Sequence, residues 1–214
     1  SSLLSQSGHT MNGNDATVYN LEQHTPKSVI NVAVLGAEST GKTTLCRDLA
    51  EHFDTPWVSE YMRTYLQAKW DDEQLTCTWE DLLPIAQGQI TLENTLAKQV
   101  AQTNNASHYL FCDTSLFELM VYSYWYYGDC PTALEQAALA HHYDLILLTD
   151  VDTPWVADDL RDSPHQRDEI SDYFASQLSK HQKSFQRISG NRKARVQQVV
   201  AQLADIDNIS PHQS

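Results

Sequence analysis

Residues 30–49, INVAVLGAESTGKTTLCRDL, limit what this chain can become more than any other stretch. An apolar run (Ile30, Val32, Val34, Leu35) leads into Gly36, Ala37, Glu38, Ser39, Thr40, Gly41, Lys42 and Thr43, which fit the spacing G-x-x-x-x-G-K-S/T. A helical pattern follows through Leu45, Leu49 and Ala50. Strand, glycine loop and helix in that order predict a phosphate-binding turn. Gly36 and Gly41 permit backbone angles that a Cβ forbids, so successive N–H groups can turn inward on phosphate oxygens. The helix opening near Lys42 adds the positive end of its dipole. Lys42 is then expected on the β- and γ-phosphates of ATP and the Thr43 hydroxyl on Mg²⁺, with Glu38, Ser39, Thr40 and Thr44 in the cradle wall.

At 214 residues the chain is the size of one α/β domain with a proper core. Its formal charge of -14 argues against nucleic acid or an anionic membrane as partner, since either would be repelled at long range. An anionic nucleotide must therefore be held by a locally positive loop and a metal. Cys46, Cys77, Cys112 and Cys130 show no metal-ligand spacing and read as structural thiols of a reducing compartment; the histidines show none either. Residues 1–27 are polar, without an apolar run long enough for a signal peptide or membrane helix, so a cytoplasmic protein is expected. The expected organisation is a disordered arm over 1–27, a folded domain over 28–206 and a short polar tail over 207–214.

Downstream, residues 55–59 read as a short strand ending at Glu60, with a helix through Tyr65 and Leu66 and a loop over 69–77. Thr78 caps a long helix to about Gln102. Residues 108–114 form an apolar strand ending in a carboxylate, 116–127 an aromatic helix, 132–142 another helix and 143–150 a buried strand. A polar segment over 151–168 precedes a helix over 169–180, a last strand over 184–189, a turn at Gly190 and Asn191, and a closing helix over 192–204. Strands alternating with helices imply a three-layer α/β sandwich around a mainly parallel five-stranded sheet, with ligands at the carboxyl ends of its strands.

In such a sheet Glu60 and Asp113 each close a strand beside the phosphate loop. They supply the two anionic roles of phosphoryl transfer: one carboxylate holds Mg²⁺ and one deprotonates an attacking hydroxyl. Asp113 is assigned to the metal and Glu60 to the base, with the exchange of roles as the alternative. The segment 152–167 lies just past a core strand, where Arg161 or Arg167 can neutralise the transferred phosphoryl as the segment closes like a lid. Trp155 offers a flat face for a planar or cationic ring. Arg63, one turn after Glu60, is divided between orienting that carboxylate and touching ligand phosphate. Gly190 and Asn191 are candidates to lie against adenine.

Other features read as structural. The helical aromatics Tyr122, Tyr124, Trp125, Tyr126 and Tyr127 read as core. Gln87 and Gln89 read as a solvated helix face, and so do the six Lys and Arg residues from Lys180 to Arg195.

The blocks GAESTGKTTL, WVSEYMRTYL, DLLPIAQGQITLE, LFCDTSLF, YGDCP and YDLILLTDVDTPWVADDLRD, in that order, resemble the ribosylnicotinamide kinase domain of NadR-like proteins, a P-loop NTPase family of nucleoside- and nucleotide-kinase type. The resemblance runs from about Val29 to Ala204. It implies transfer of the ATP γ-phosphate to the ribose 5′-hydroxyl of nicotinamide riboside, with Mg²⁺. Glu60, Tyr61, Arg63, Asp113, Trp155 and Asp158 would then contact the acceptor. Larger members carry a nucleotidyltransferase domain ahead of the kinase, which 27 polar residues cannot hold, so the kinase module alone is expected. The competing readings are a kinase for another nucleoside or nucleotide, and a nucleotide-dependent regulatory ATPase. Against the latter stands the lack of an N-K-x-D or L-S-G-G-Q motif. The oligomeric state is not legible.

Overall fold

A computed structural model describes residues 18–103, 108–154 and 164–209. The chain runs β1 (Ile30–Leu35), α1 (Lys42–Phe53), β2 (Trp57–Val58), α2 (Tyr61–Glu73), α3 (Leu82–Gln102), β3 (Tyr109–Asp113), α4 (Leu116–Tyr127), α5 (Thr132–Ala140), β4 (Leu145–Thr149), α6 (Pro164–Lys180), β5 (Gln186–Ile188) and α7 (Arg192–Ile209). The five strands form one parallel sheet in the order β2-β3-β1-β4-β5.

Strand β1 lies at the centre, and its alternation divides the core. Val32 and Val34 pack with Leu45, Leu49, Val199 and Leu203 on the α1/α7 side; Ala33 and Leu35 face Ile85, Ile90, Met120 and Phe174 of α3, α4 and α6 on the other. Both faces being covered is why β1, β3 and β4 read as continuous apolar runs. The architecture is the three-layer α/β sandwich around a parallel five-stranded sheet that was expected. No helix among the described residues is long and apolar enough to cross a membrane.

Three boundaries differ from expectation. Helix α2 runs through to Glu73, where a loop was expected over 69–77. Long-range partners make the difference: Lys69 pairs with Asp81 at 2.5 Å, Tyr65 donates to the same carboxylate at 2.8 Å, and Trp70 packs on the core. That carboxylate also closes the capping box at Thr78, and Lys69 and the Thr78 N–H hold its pKa below the usual range against the pull of burial. Helix α6 starts at Pro164 rather than near Glu169, using a proline at the first helical position, where its missing N–H is not needed.

The third difference is at the start. Residues 18–27, expected as disordered arm, are an extended strap across α3. Asn20 N–H donates to Gln87 Oε1 while Gln87 Nε2 donates back to Asn20 O, both at 2.8 Å. Asn94 repeats the pattern one strap turn on, accepting from His24 N–H at 2.8 Å and donating to Glu22 O at 2.9 Å. Leu21 is buried, His141 bonds its carbonyl, and Gln23 donates to the buried Glu93. Leu21 is buried in the core and Tyr19 packs against it, two apolar side chains in a polar stretch, so composition conceals the strap. Residues 1–17 and the tail from 210 lie outside the described residues.

Candidate active site

The phosphate loop joins β1 to α1 in an open, hollow turn. Gly36 has φ 149°, and a Cβ there would lie 2.3 Å from Thr149 Oγ1, so only glycine passes β4 at this point. Ser39 and Gly41 take left-handed φ of 59° and 84°, turning the chain into the first turn of α1. The loop is braced from behind by its carbonyls. Thr40 Oγ1 donates to Ala37 O at 2.6 Å, Thr153 Oγ1 to Ser39 O at 2.6 Å, and Arg167 Nη1 to both Ser39 O and Thr153 O. Arg195, only 3% exposed, donates to Thr40 O, Gly190 O and Asp150 O and pairs with Asp152. Reading Arg195 as part of a solvated basic face is thereby corrected: it ties the loop to the turn before α7.

Inside the loop, Lys42 Nζ lies 2.7 Å from Glu118 Oε2, with the two side chains 7% and 1% exposed. Glu118 Oε1 accepts the Gly36 N–H at 3.1 Å, and Thr114 Oγ1 donates to Oε2. Thr114 adopts φ 80°, so the chain leaving β3 turns sharply to bring α4 and Glu118 under the loop. Burial would lower the Lys42 pKa, but Glu118, Glu60 and Asp113 outweigh burial and keep the ammonium charged.

Asp113 ends β3 opposite Val34, and its Oδ2 accepts from Thr43 Oγ1 at 2.5 Å. Its Oδ1 is buried without a hydrogen-bond partner among the described residues. Burial and the negative Glu60 push this carboxyl up to about 7, against the opposing pull of Lys42 and Thr43. One ammonium thus faces three carboxylates. The donor set of a hydroxyl and an orphaned carboxylate oxygen, in a site short of positive charge, fits a hard divalent cation such as Mg²⁺.

Two hollows meet at the loop. One, of about 430 Å³, is lined by loop residues 38–44 together with Trp57, Ser59, Glu60, Arg63, Thr64 and Asp113. The other, of about 680 Å³, lies on the α7 side between Thr153, Pro154, Gly190, Asn191 and Arg192. Ser39, Gly41 and Thr44 border both.

Of the residues singled out in the sequence, Glu38, Ser39, Thr40, Gly41, Lys42, Thr43, Thr44, Glu60, Arg63 and Asp113 converge on the first hollow, and Gly190 and Asn191 on the second. Tyr61 does not join them. Its ring is turned onto α3, where a Cβ on Gly88 would lie 2.0 Å from it, and it does not line the hollow. Arg167 is engaged on the Ser39 carbonyl. Trp155, Asp158 and Arg161 lie outside the described residues.

Sequence reasoning passed over Glu118, Arg195 and Gln89. Each carried a signal: Glu118 is a lone carboxylate in an otherwise apolar helix face, Arg195 lies four residues before Val199 on the inward stripe of α7, and Gln89 shares the stripe of Ile85, Ala86 and Ile90. Gln89 is buried, which corrects its reading as solvated.

Comparison with known proteins agrees with this fold. The family described as AAA domain matches residues 31–195. The chain is 29% identical over 165 residues to the trifunctional NAD biosynthesis/regulator protein NadR of Escherichia coli (strain K12), covering 76% of this chain and 39% of that protein. It is 31% identical over 136 residues to the protein of the same name from Salmonella typhimurium, covering 64% of this chain and 32% of that one. The chain therefore spans about a third to two-fifths of these relatives' length. Among solved structures, a NadR protein in complex with NR superposes with a TM-score of 0.68 at 22% identity, over 87% of this chain and 54% of that one. Deoxyadenosine kinase from M. mycoides superposes with a TM-score of 0.57 at 12% identity, over 82% of this chain and all of that one. The chain belongs to the AAA domain family, is homologous to part of NadR, and has the P-loop fold of nucleoside and nucleotide kinases.

Proposed function

We propose that this protein is an ATP-dependent kinase that phosphorylates the ribose 5′-hydroxyl of nicotinamide riboside to give NMN. The observation that carries the reading is the pair of hollows meeting at Ser39, Gly41 and Thr44 of the phosphate loop, one for each substrate of a two-substrate transfer. A switch ATPase needs only the second. The homology to NadR favours nicotinamide riboside over other nucleosides.

ATP enters with its base against Gly190 and Asn191 and its phosphates in the loop, where N–H groups and Lys42 take the negative charge. Thr43 and Asp113 would hold Mg²⁺, which would supply positive charge to the phosphate oxygens. The acceptor fills the hollow below Trp57 and Arg63. Its hydroxyl oxygen attacks the γ-phosphorus and gives its proton to Glu60, while the bond to the β–γ bridging oxygen breaks and ADP leaves. Arg167 would add positive charge beside the loop carbonyl it braces, and Arg161, Trp155 and Asp158, outside the described residues, keep the roles the sequence pattern implies: charge compensation for the arginine and acceptor contact for the other two. These roles are carried from the sequence pattern. A cytoplasmic location follows from the substrates of such a reaction.

ADP release measured with Mg²⁺-ATP and nicotinamide riboside, uridine, cytidine or adenosine tests the reading. Release that depends on nicotinamide riboside and yields NMN is expected. Equal slow hydrolysis with all four would refute it. A preference for another nucleoside would move the protein to the second reading, which the full coverage of the deoxyadenosine kinase fold favours.

A further inference from the structure

We propose that Gln89 is a positioning residue that fixes Glu60 in the acceptor hollow; this rests on the kinase reading above for the role of Glu60. One primary amide brackets that carboxylate's backbone from both sides. Gln89 Oε1 accepts the N–H of Tyr61 at 2.8 Å, and Gln89 Nε2 donates to the carbonyl of Ser59 at 3.3 Å. The residues bonded are therefore the immediate neighbours of Glu60 in the chain.

The site is built for this purpose. Glu60 is the N-cap residue of α2, and it makes no side-chain cap bond to its own helix. The first of the orphan N–H groups of α2, that of Tyr61, is instead taken by Gln89, a residue of another helix that is 3% exposed. The Glu60 carboxylate, uncommitted to its own helix, lines the hollow. A primary amide accepts through one atom and donates through another at neutral pH, whereas a carboxylate only accepts and a lysine only donates. Strand β2 is two residues long and ends at Val58, so sheet pairing does not reach the turn. Its placement passes to α3. Gly88 adds to the same clamp by seating the Tyr61 ring, and Gln89 also borders the small cavity shared with Thr114 and Glu118, so a single turn of α3 sets Glu60 against the Asp113 side of the site.

The test uses Gln89→Leu and Gln89→Glu in the full chain. In Gln89→Leu, kcat/KM for the nucleoside is expected to fall on the order of 10–100-fold, as for a misplaced reacting group, with ADP affinity within about twofold of the parent. The amide hydrogen of Tyr61 should exchange at least about tenfold faster by hydrogen–deuterium exchange. In Gln89→Glu the loss should shrink as pH is lowered, relative to the parent at each pH, because the protonated carboxyl regains a donor for Ser59 O. Unchanged exchange at Tyr61, a parallel loss of ADP affinity, or a Gln89→Glu deficit independent of pH would each overturn the proposal. If the parent phosphorylates no nucleoside, the kinase reading fails, and Tyr61 exchange still decides whether Gln89 holds the turn.

Discussion

The ammonium of Lys42 and the carboxylate of Glu118 form a buried ion pair, 2.7 Å apart, in the place where a nucleotide phosphate would bind. A phosphate must therefore draw Lys42 away from a partner it already has. Glu118→Gln keeps an acceptor for the Gly36 N–H but removes the competing charge. ADP affinity is expected to rise about fivefold to tenfold, or roughly 1 kcal/mol by titration calorimetry. Glu118→Ala should instead lower stability by about 3 kcal/mol in chemical unfolding, since it leaves a buried ammonium unpaired.

Asp113 titrates near 7 in the fold against an ordinary 3.8, raised by burial and by Glu60. A carboxyl raised in this direction contributes stability that is complete below about 3.8 and is lost as pH climbs through about 7. Asp113→Asn does not titrate and still accepts from Thr43. Without metal or nucleotide, its melting temperature should exceed the parent's by more at pH 8 than at pH 4. The difference corresponds to on the order of 2–4 kcal/mol at about 1.4 kcal/mol per pH unit, while turnover is lost. Equal melting shifts at both pH values would contradict the assignment.

Gly88→Ala sets helix propensity against sterics. Alanine in a helix gains about 1 kcal/mol over glycine, but the new methyl meets three Tyr61 ring atoms within 2.4 Å. Overpacking of this kind costs about 1–3 kcal/mol, so a net loss of stability is expected. Adding Tyr61→Ala should reverse its sign, which urea denaturation of the single and double variants can show.

Arg195→Lys should fail to replace arginine. The guanidinium reaches Thr40 O, Gly190 O and Asp150 O at once, and a lysine cannot span that fork. Both Arg195→Lys and Arg195→Ala are expected to lose about 1–3 kcal/mol of stability, since carbonyls of the loop and of the turn before α7 are left without a donor. ADP affinity should fall with it, because the same contacts join the phosphate loop to the second hollow.

The sheet, its order of helices and the phosphate loop were legible because they rest on local pattern: apolar runs, glycines at fixed spacing, a cap at Thr78. Asp113 was legible as a strand terminus. What escaped was set by partners distant in sequence. Asp81 extends α2 through Lys69, twelve residues away, and Glu118 meets Lys42 across 76 residues. Arg195 and Gln89 looked like surface because charge and amide composition conceal a single inward position, and apart from Asp152 their partners named here are backbone carbonyls and an N–H group, which carry no residue signature.

The strap over residues 18–27 precedes the segment matched by the family, which begins at residue 31. Expression boundaries drawn from shared motifs would therefore cut behind it. Such a shortened protein would leave the Leu21 slot open and the amides of Gln87 and Asn94 facing water, on the helix that also carries Gly88 and Gln89. Loss of catalytic competence after trimming would then report a loosened α3 rather than a missing domain.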